Sequence, residues 1–112
     1  MDKSAGPLAA SGSERRRTPR YPFDGVLRIE WGSAVLEGRV RDISVEGMQV
    51  EIADPLWVGA SFSGELALDT PLRVDCVVRR VEPGRAMGVS LVVPGEAERA
   101  RLESLLASLA QK

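Results

Sequence analysis

From Val26 to Trp31 the chain alternates, with Leu27, Ile29 and Trp31 on one face and Arg28 and Glu30 on the other. That period of two is the pattern of a half-buried strand. Gly32-Ser33 reads as a tight turn, and Val35 to Val40 as the returning strand of a hairpin. Met48, Val50 and Ile52 then alternate with Gln49 and Glu51, and Phe62, Leu66 and Leu68 oppose Ser63, Glu65 and Asp69. Leu72, Val74, Cys76 and Val78 make a further inward set, and Met87, Val89 and Leu91 the last. Turn-forming residues separate these runs at Asp54-Pro55, Gly59, Asp69-Thr70-Pro71 and Pro83-Gly84. Six short alternating strands predict a mainly β domain, an antiparallel barrel or a sandwich.

After Pro94-Gly95-Glu96 the period changes. Leu102, Leu105, Leu106 and Leu109 recur at the spacing of one helix face, with Glu96 and Glu98 near the start and Lys112 at the end, as the helix dipole favours. The leucine stripe is expected to pack on the core and cover an end or edge of the barrel. A partner-binding helix is the lesser alternative.

A chain of 112 residues fits one domain. Residues 1–13 are small and polar and read as a disordered leader, which leaves 14–112 as a single domain. Cys76 is the only cysteine, so no internal disulfide can form; at an inward strand position it is expected to be a small buried hydrophobe. The chain has no histidine, no glycine-rich phosphate loop and no metal-ligand cluster, so neither catalysis nor a cofactor is expected. No apolar run of about 18 residues is present, so no membrane insertion is expected. Met1 to Gly12 lacks the apolar stretch of a secretory signal, so the cytoplasm is the expected location.

The net charge of -1 conceals an asymmetry. Residues 1–20 carry +3 and the remainder -4. A basic arm on an acidic body disfavours a long polyanion such as nucleic acid, which would be repelled beyond the arm. A compact anion that touches only the arm meets no such repulsion. The sequence is also poor in the aromatic side chains on which single strands stack. Trp31 and Trp57 are possible base platforms, but packing roles fit them better.

Two segments stand apart from the strand pattern. Glu14-Arg15-Arg16-Arg17-Thr18-Pro19-Arg20 places four arginines within six residues, and Thr18-Pro19 disfavours helix there, so an extended arm is expected. Arginine forks suit phosphate oxygens and the O6/N7 edge of guanine. Between the second and third strands lies Asp42-Ile43-Ser44-Val45-Glu46-Gly47, whose residue types also suit an ordinary strand connection.

Together, Arg16-x-x-x-Arg20 and Asp42-x-Ser44-x-x-Gly47 resemble the two ligand-binding motifs of the PilZ-domain family, whose members bind the bacterial second messenger cyclic di-GMP. Met87-Gly88-Val89-Ser90-Leu91 resembles a further strand signature of that family, with Leu91 where an aromatic residue is common. The resemblance runs from about Glu14 to the C-terminus. It implies a six-stranded antiparallel split β-barrel with a C-terminal helix, acting as a receptor that passes second-messenger level to an effector protein in motility or biofilm regulation. It assigns Arg16, Arg20, Asp42, Ser44 and Gly47 to the ligand. An arginine at position 15 goes with an intercalated ligand dimer in such proteins, and a stacking residue is expected near Arg79 and Arg80. Because neighbouring strand positions alternate, only one of that pair is expected to face the site; surface charge is the competing reading for both.

The residue chemistry agrees. Arg16 and Arg20 offer forks to guanine O6/N7 or to phosphate, and Asp42 offers acceptors to guanine N1–H and N2–H. Ser44 can donate or accept, and Gly47 allows close backbone approach. A bare phosphate site would gain nothing from Asp42. Arg17 needs no role beyond solvation. The alternative class is a protein-interaction adaptor of the same fold that works without nucleotide, in motility or envelope regulation.

Overall fold

The computed structural model describes residues 18–111. Six strands and one helix follow in order: β1 Tyr21–Trp31, β2 Ala34–Ile43, β3 Gly47–Glu51, β4 Ser61–Leu66, β5 Leu72–Glu82, β6 Ala86–Val92 and α1 Glu96–Ala110. The strands close into an antiparallel barrel in the order β1-β2-β3-β6-β5-β4, with β4 returning to β1. The inferred leader, Arg15, Arg16, Arg17 and Lys112 lie outside the described residues.

The alternation read from the sequence fills the barrel. Leu27 and Ile29 of β1, Val40 of β2, Val50 of β3, Leu66 of β4, Leu72 and Val78 of β5 and Met87 of β6 are completely buried. Burying a side chain of this size is worth about 1.5–3 kcal/mol each. At the β1–β2 turn Gly32 has φ 63°, a conformation that glycine adopts without strain, and Trp31 pairs directly with Ala34 across it. The Leu stripe of α1 packs as expected: Leu102 is buried, while Leu105, Leu106 and Leu109 lie partly buried against the core. Arg101 secures the helix by donating to the carbonyls of Thr70 and Pro71 in the β4–β5 connection.

Three departures from strict alternation shape the site. In β2, Val40 pairs with Val50 and Asp42 with Gln49, so Arg41 is an extra residue. In β5, Val78 pairs with Val89 and Arg80 with Gly88, so Arg79 is extra. In β1 the register slips between Pro22 and Gly25. A β-bulge of this kind re-aims the side chains beside it. Without it Asp42 would follow Val40 into the core; with it Asp42 turns outward and Ile43 turns in, fully buried. β1 also begins at Tyr21, five residues earlier than its clean alternation starts, and Leu68 lies beyond the end of β4.

Candidate functional site

The sequence around position 42 builds a wall and a turn. Ser44 is 1% exposed. Its hydroxyl accepts from the backbone N–H of Glu46 at 3.1 Å and of Gly47 at 3.2 Å, and donates to the Gly47 carbonyl at 3.5 Å. The Ser44 N–H donates to the same carbonyl at 2.9 Å. Ser44 therefore closes the β2–β3 turn, the local hydrogen bonding to which serine is suited. Gly47 has an equally local reason. A Cβ there would lie well inside contact distance of the Val89 carbonyl oxygen on β6. The close approach that glycine permits at this position is between strands.

Asp42 and Arg20 meet directly. Arg20 donates through Nε at 2.9 Å and through Nη2 at 2.6 Å, both to Oδ1 of Asp42. The second oxygen, Oδ2, is not used by this pair. Both side chains are about one-third exposed (29% and 35%), so the contact sits at the lip of the wall. Two residues earlier in the arm, Thr18 Oγ1 donates to Glu46 Oε1 at 3.3 Å. The last residues of the arm are thus laid along the β2–β3 turn, and the two segments singled out in the sequence are neighbours in space.

A row of paired residues runs sideways across five strands. Pro22 on β1 faces Asp42 on β2, Asp42 faces Gln49 on β3, Gln49 faces Gly88 on β6, and Gly88 faces Arg80 on β5. Above it lies an open groove of about 560 Å³, lined by Arg20, Pro22, Arg41, Asp42, Gln49 and Arg80. Three guanidinium groups and one carboxylate line it, a balance that suits a compact anion with hydrogen-bond donors of its own. Arg41 pairs weakly with Glu51, at 3.4 Å.

Arg79 and Arg80 both point outward, because the bulge interrupts the alternation that would have set them on opposite faces. Only Arg80 lines the groove; Arg79 donates to Ser90 Oγ at 3.3 Å. Arg41 and Gln49 line the groove without having been singled out in the sequence. The available signal was the pair of polar residues between Val40 and Ile43, repeated as Arg79-Arg80 between Val78 and Val81.

A larger cavity of about 670 Å³ lies elsewhere, with Trp31, Phe62, Ser63 and Val92 in its lining. Its charged side chains are Glu30 and Asp75, which would repel a phosphate. Trp31 stands nine residues along β1 from Pro22, roughly 30 Å at the rise of an extended strand. It packs edge-to-face on Trp57 with ring centroids 5.1 Å apart. Neither indole is near the arginine groove. Among the described residues there is no group of three or more side chains able to hold a metal ion, and no helix long and apolar enough to cross a membrane.

Comparison with known proteins gives a consistent result. A family model described as the PilZ domain matches residues 14–108. The fold is similar to the PilZ domain of YcgR from Escherichia coli, solved with c-di-GMP, at 19% identity and a TM-score of 0.71, covering 87% of this chain and 92% of that one. It is similar to MrkH of K. pneumonia in its c-di-GMP complex, at 19% identity and a TM-score of 0.75, covering 87% and 53%. It is also similar to the inhibitor of motility MotI/DgrA of Bacillus subtilis, at 20% identity and a TM-score of 0.69, covering 88% and 53%. The chain spans about half the length of the latter two. No match was found among curated proteins.

Proposed function

The chain belongs to the PilZ-domain family, and we propose that it is a receptor module for cyclic di-GMP, held between the N-terminal arginine arm and the barrel wall at Asp42. The observation that carries this reading is the Arg20–Asp42 contact, which joins the two motif segments across 22 residues of sequence. An arginine fork complements the two acceptors on the Hoogsteen edge of guanine, and a carboxylate complements the donors N1–H and N2–H. Arg20 and Asp42 are close enough to take adjacent edges of one base. Arg41 and the arm residues Arg15 and Arg16 supply positive charge for the two phosphates, and Arg80 is the candidate stacking residue. Arg15 is the residue that would accommodate a second, intercalated ligand molecule. Ser44 and Gly47 close the β2–β3 turn beside the wall, while the bulge at Arg41 keeps Asp42 on its outer face.

Binding neutralises crowded arginines and fixes the arm against the barrel. Ordering backbone costs about 1–2 kcal/mol per residue. Charge-assisted hydrogen bonds at about 1.5–3 kcal/mol each offset that for a short arm. The output is a changed arm position and surface charge, which an effector protein can recognise. The module binds and relays; it performs no chemistry. Two of the similar structures are described as a c-di-GMP-dependent transcription regulatory factor and an inhibitor of motility, outputs of the kind this reading allows.

Isothermal titration of the full chain with cyclic di-GMP tests the proposal. Micromolar or tighter binding is expected, weakened about tenfold or more by Arg16→Ala, Arg20→Ala or Asp42→Ala. A folded chain that gives no heat, or variants that bind like the native protein, would rule it out.

A further inference from the structure

We propose that Gln49 and Gly88 are positioning residues that hold the Arg80 guanidinium flat on the barrel wall as a platform for a planar ring. The inference rests on the nucleotide-binding reading and on the stacking role that the family resemblance implies near Arg80; what it adds is a role in the same groove for Gln49, which no motif contains, and for Gly88 of the strand signature.

The geometry begins with the missing side chain at Gly88. A Cβ built there would lie 3.0 Å from Arg80 Nη2, 3.1 Å from Cζ and 3.4 Å from Nε. The central carbon is as close as the nitrogens. An edge-on guanidinium would make Cζ the most distant of the three, so the group lies face-on over the glycine. One planar face rests on the wall and the other is turned outward. The pairing register explains how it gets there: Arg80 faces Gly88, and Gly88 faces Gln49 on the next strand. The side chain crosses the gap above the glycine and donates from Nη2 to Gln49 Oε1 at 2.9 Å. Gln49 is held in turn, its Nε2 lying 3.4 Å from Glu82 Oε2. Beyond Gln49 the next residue in the row is Asp42.

The arrangement therefore points the guanidinium across the strands toward the carboxylate proposed to hold the base. Arginine is the side chain suited to this, since its plane stacks on aromatic faces while its edge hydrogen-bonds. Stacking is indifferent to which base is present, so the platform adds affinity, and discrimination stays with Asp42 and Arg20. Gly88 contributes only the absence of a Cβ. The neighbour that a Cβ would meet is the end of a flexible side chain, so Gly88→Ala is expected to fold and to lift the guanidinium off the wall.

The test is a double-mutant cycle on the full chain, by calorimetry with cyclic di-GMP. Gln49→Ala is expected to weaken binding about threefold to tenfold, the net worth of one ordinary, partly exposed hydrogen bond. Arg80→Ala is expected to weaken it further, and the double variant to bind no worse than Arg80→Ala alone, since Gln49 acts only through Arg80. Gly88→Ala is expected to reproduce the Gln49→Ala loss with an unchanged thermal midpoint. If the native chain binds and Gln49→Ala binds equally well, or its effect adds in full to that of Arg80→Ala, the positioning role is overturned. If the native chain does not bind at all, the receptor reading fails first, and the inference with it.

Discussion

Replacing Gly47 by alanine separates two explanations of a motif glycine. One gives the position to the ligand, which would approach bare backbone there. The other gives it to the barrel, because a Cβ at 47 would penetrate the Val89 carbonyl oxygen of β6. The clash is with backbone, which cannot rotate away. Relief requires moving β3 off β6, where Gly47 pairs with Ser90 and Met48 with Val89. The same movement strains the turn closed by Ser44 on the Gly47 carbonyl. Overpacking of this kind costs about 1–3 kcal/mol. Alanine recovers up to about 1 kcal/mol through a less flexible unfolded chain. For a domain of this size each 1 kcal/mol lowers the melting temperature by roughly 4–8 °C. A drop on the order of 5–15 °C is expected in circular-dichroism melts, with cyclic di-GMP affinity within about threefold of native when measured well below the transition. A variant that melts with the native protein and has lost the nucleotide would refute this reasoning and return Gly47 to the ligand.

Two further predictions concern stability and reactivity. Cys76 is buried, and burial, reinforced by the charge of Asp75, pushes its thiol from 9.0 up to about 12. Iodoacetamide at pH 8 is therefore expected to leave native Cys76 unmodified and to label it on unfolding; because the folded value is raised, the stability this burial implies is lost as pH climbs from 9 toward 12. Hydrogen bonds from Arg73 hold the Glu30 carboxyl below its ordinary 4.5. A depressed carboxylate stabilises above its unfolded value and stops doing so as pH falls through the folded one. The small difference in melting temperature between the native chain and Arg73→Ala is thus expected at pH 6 and to shrink as pH is lowered below 4.5.

The barrel was legible because its strands are buried on one face and wet on the other, which writes period two into the sequence from Leu27 to Leu91. Its irregularities were harder to see. Pro22 and the slip before Gly25 hid the first part of β1, and the doublets Arg41-Asp42 and Arg79-Arg80 were not read as the bulges that they mark. The motif residues were found by their resemblance to the family's pattern, and Arg20 does meet Asp42. The parts played by Ser44 and Gly47 in the turn depend on backbone geometry that spacing does not express. The contact of Arg80 with Gln49 over Gly88 was beyond reach for a simpler reason. The three residues are adjacent only through strand register, with 31 residues separating Gln49 from Arg80.

Binding of cyclic di-GMP by itself would leave open whether the groove recognises guanine or only phosphate. Paired titrations of the full chain with cyclic di-GMP and cyclic di-AMP decide between them, because adenine replaces the O6 acceptor by a donor and lacks N1–H. With Asp42 and Arg20 on one base, the guanine ligand is expected to bind at least about tenfold more tightly, since a bidentate contact discriminates by about 1–3 kcal/mol. Equal affinities for the two dinucleotides would contradict the account.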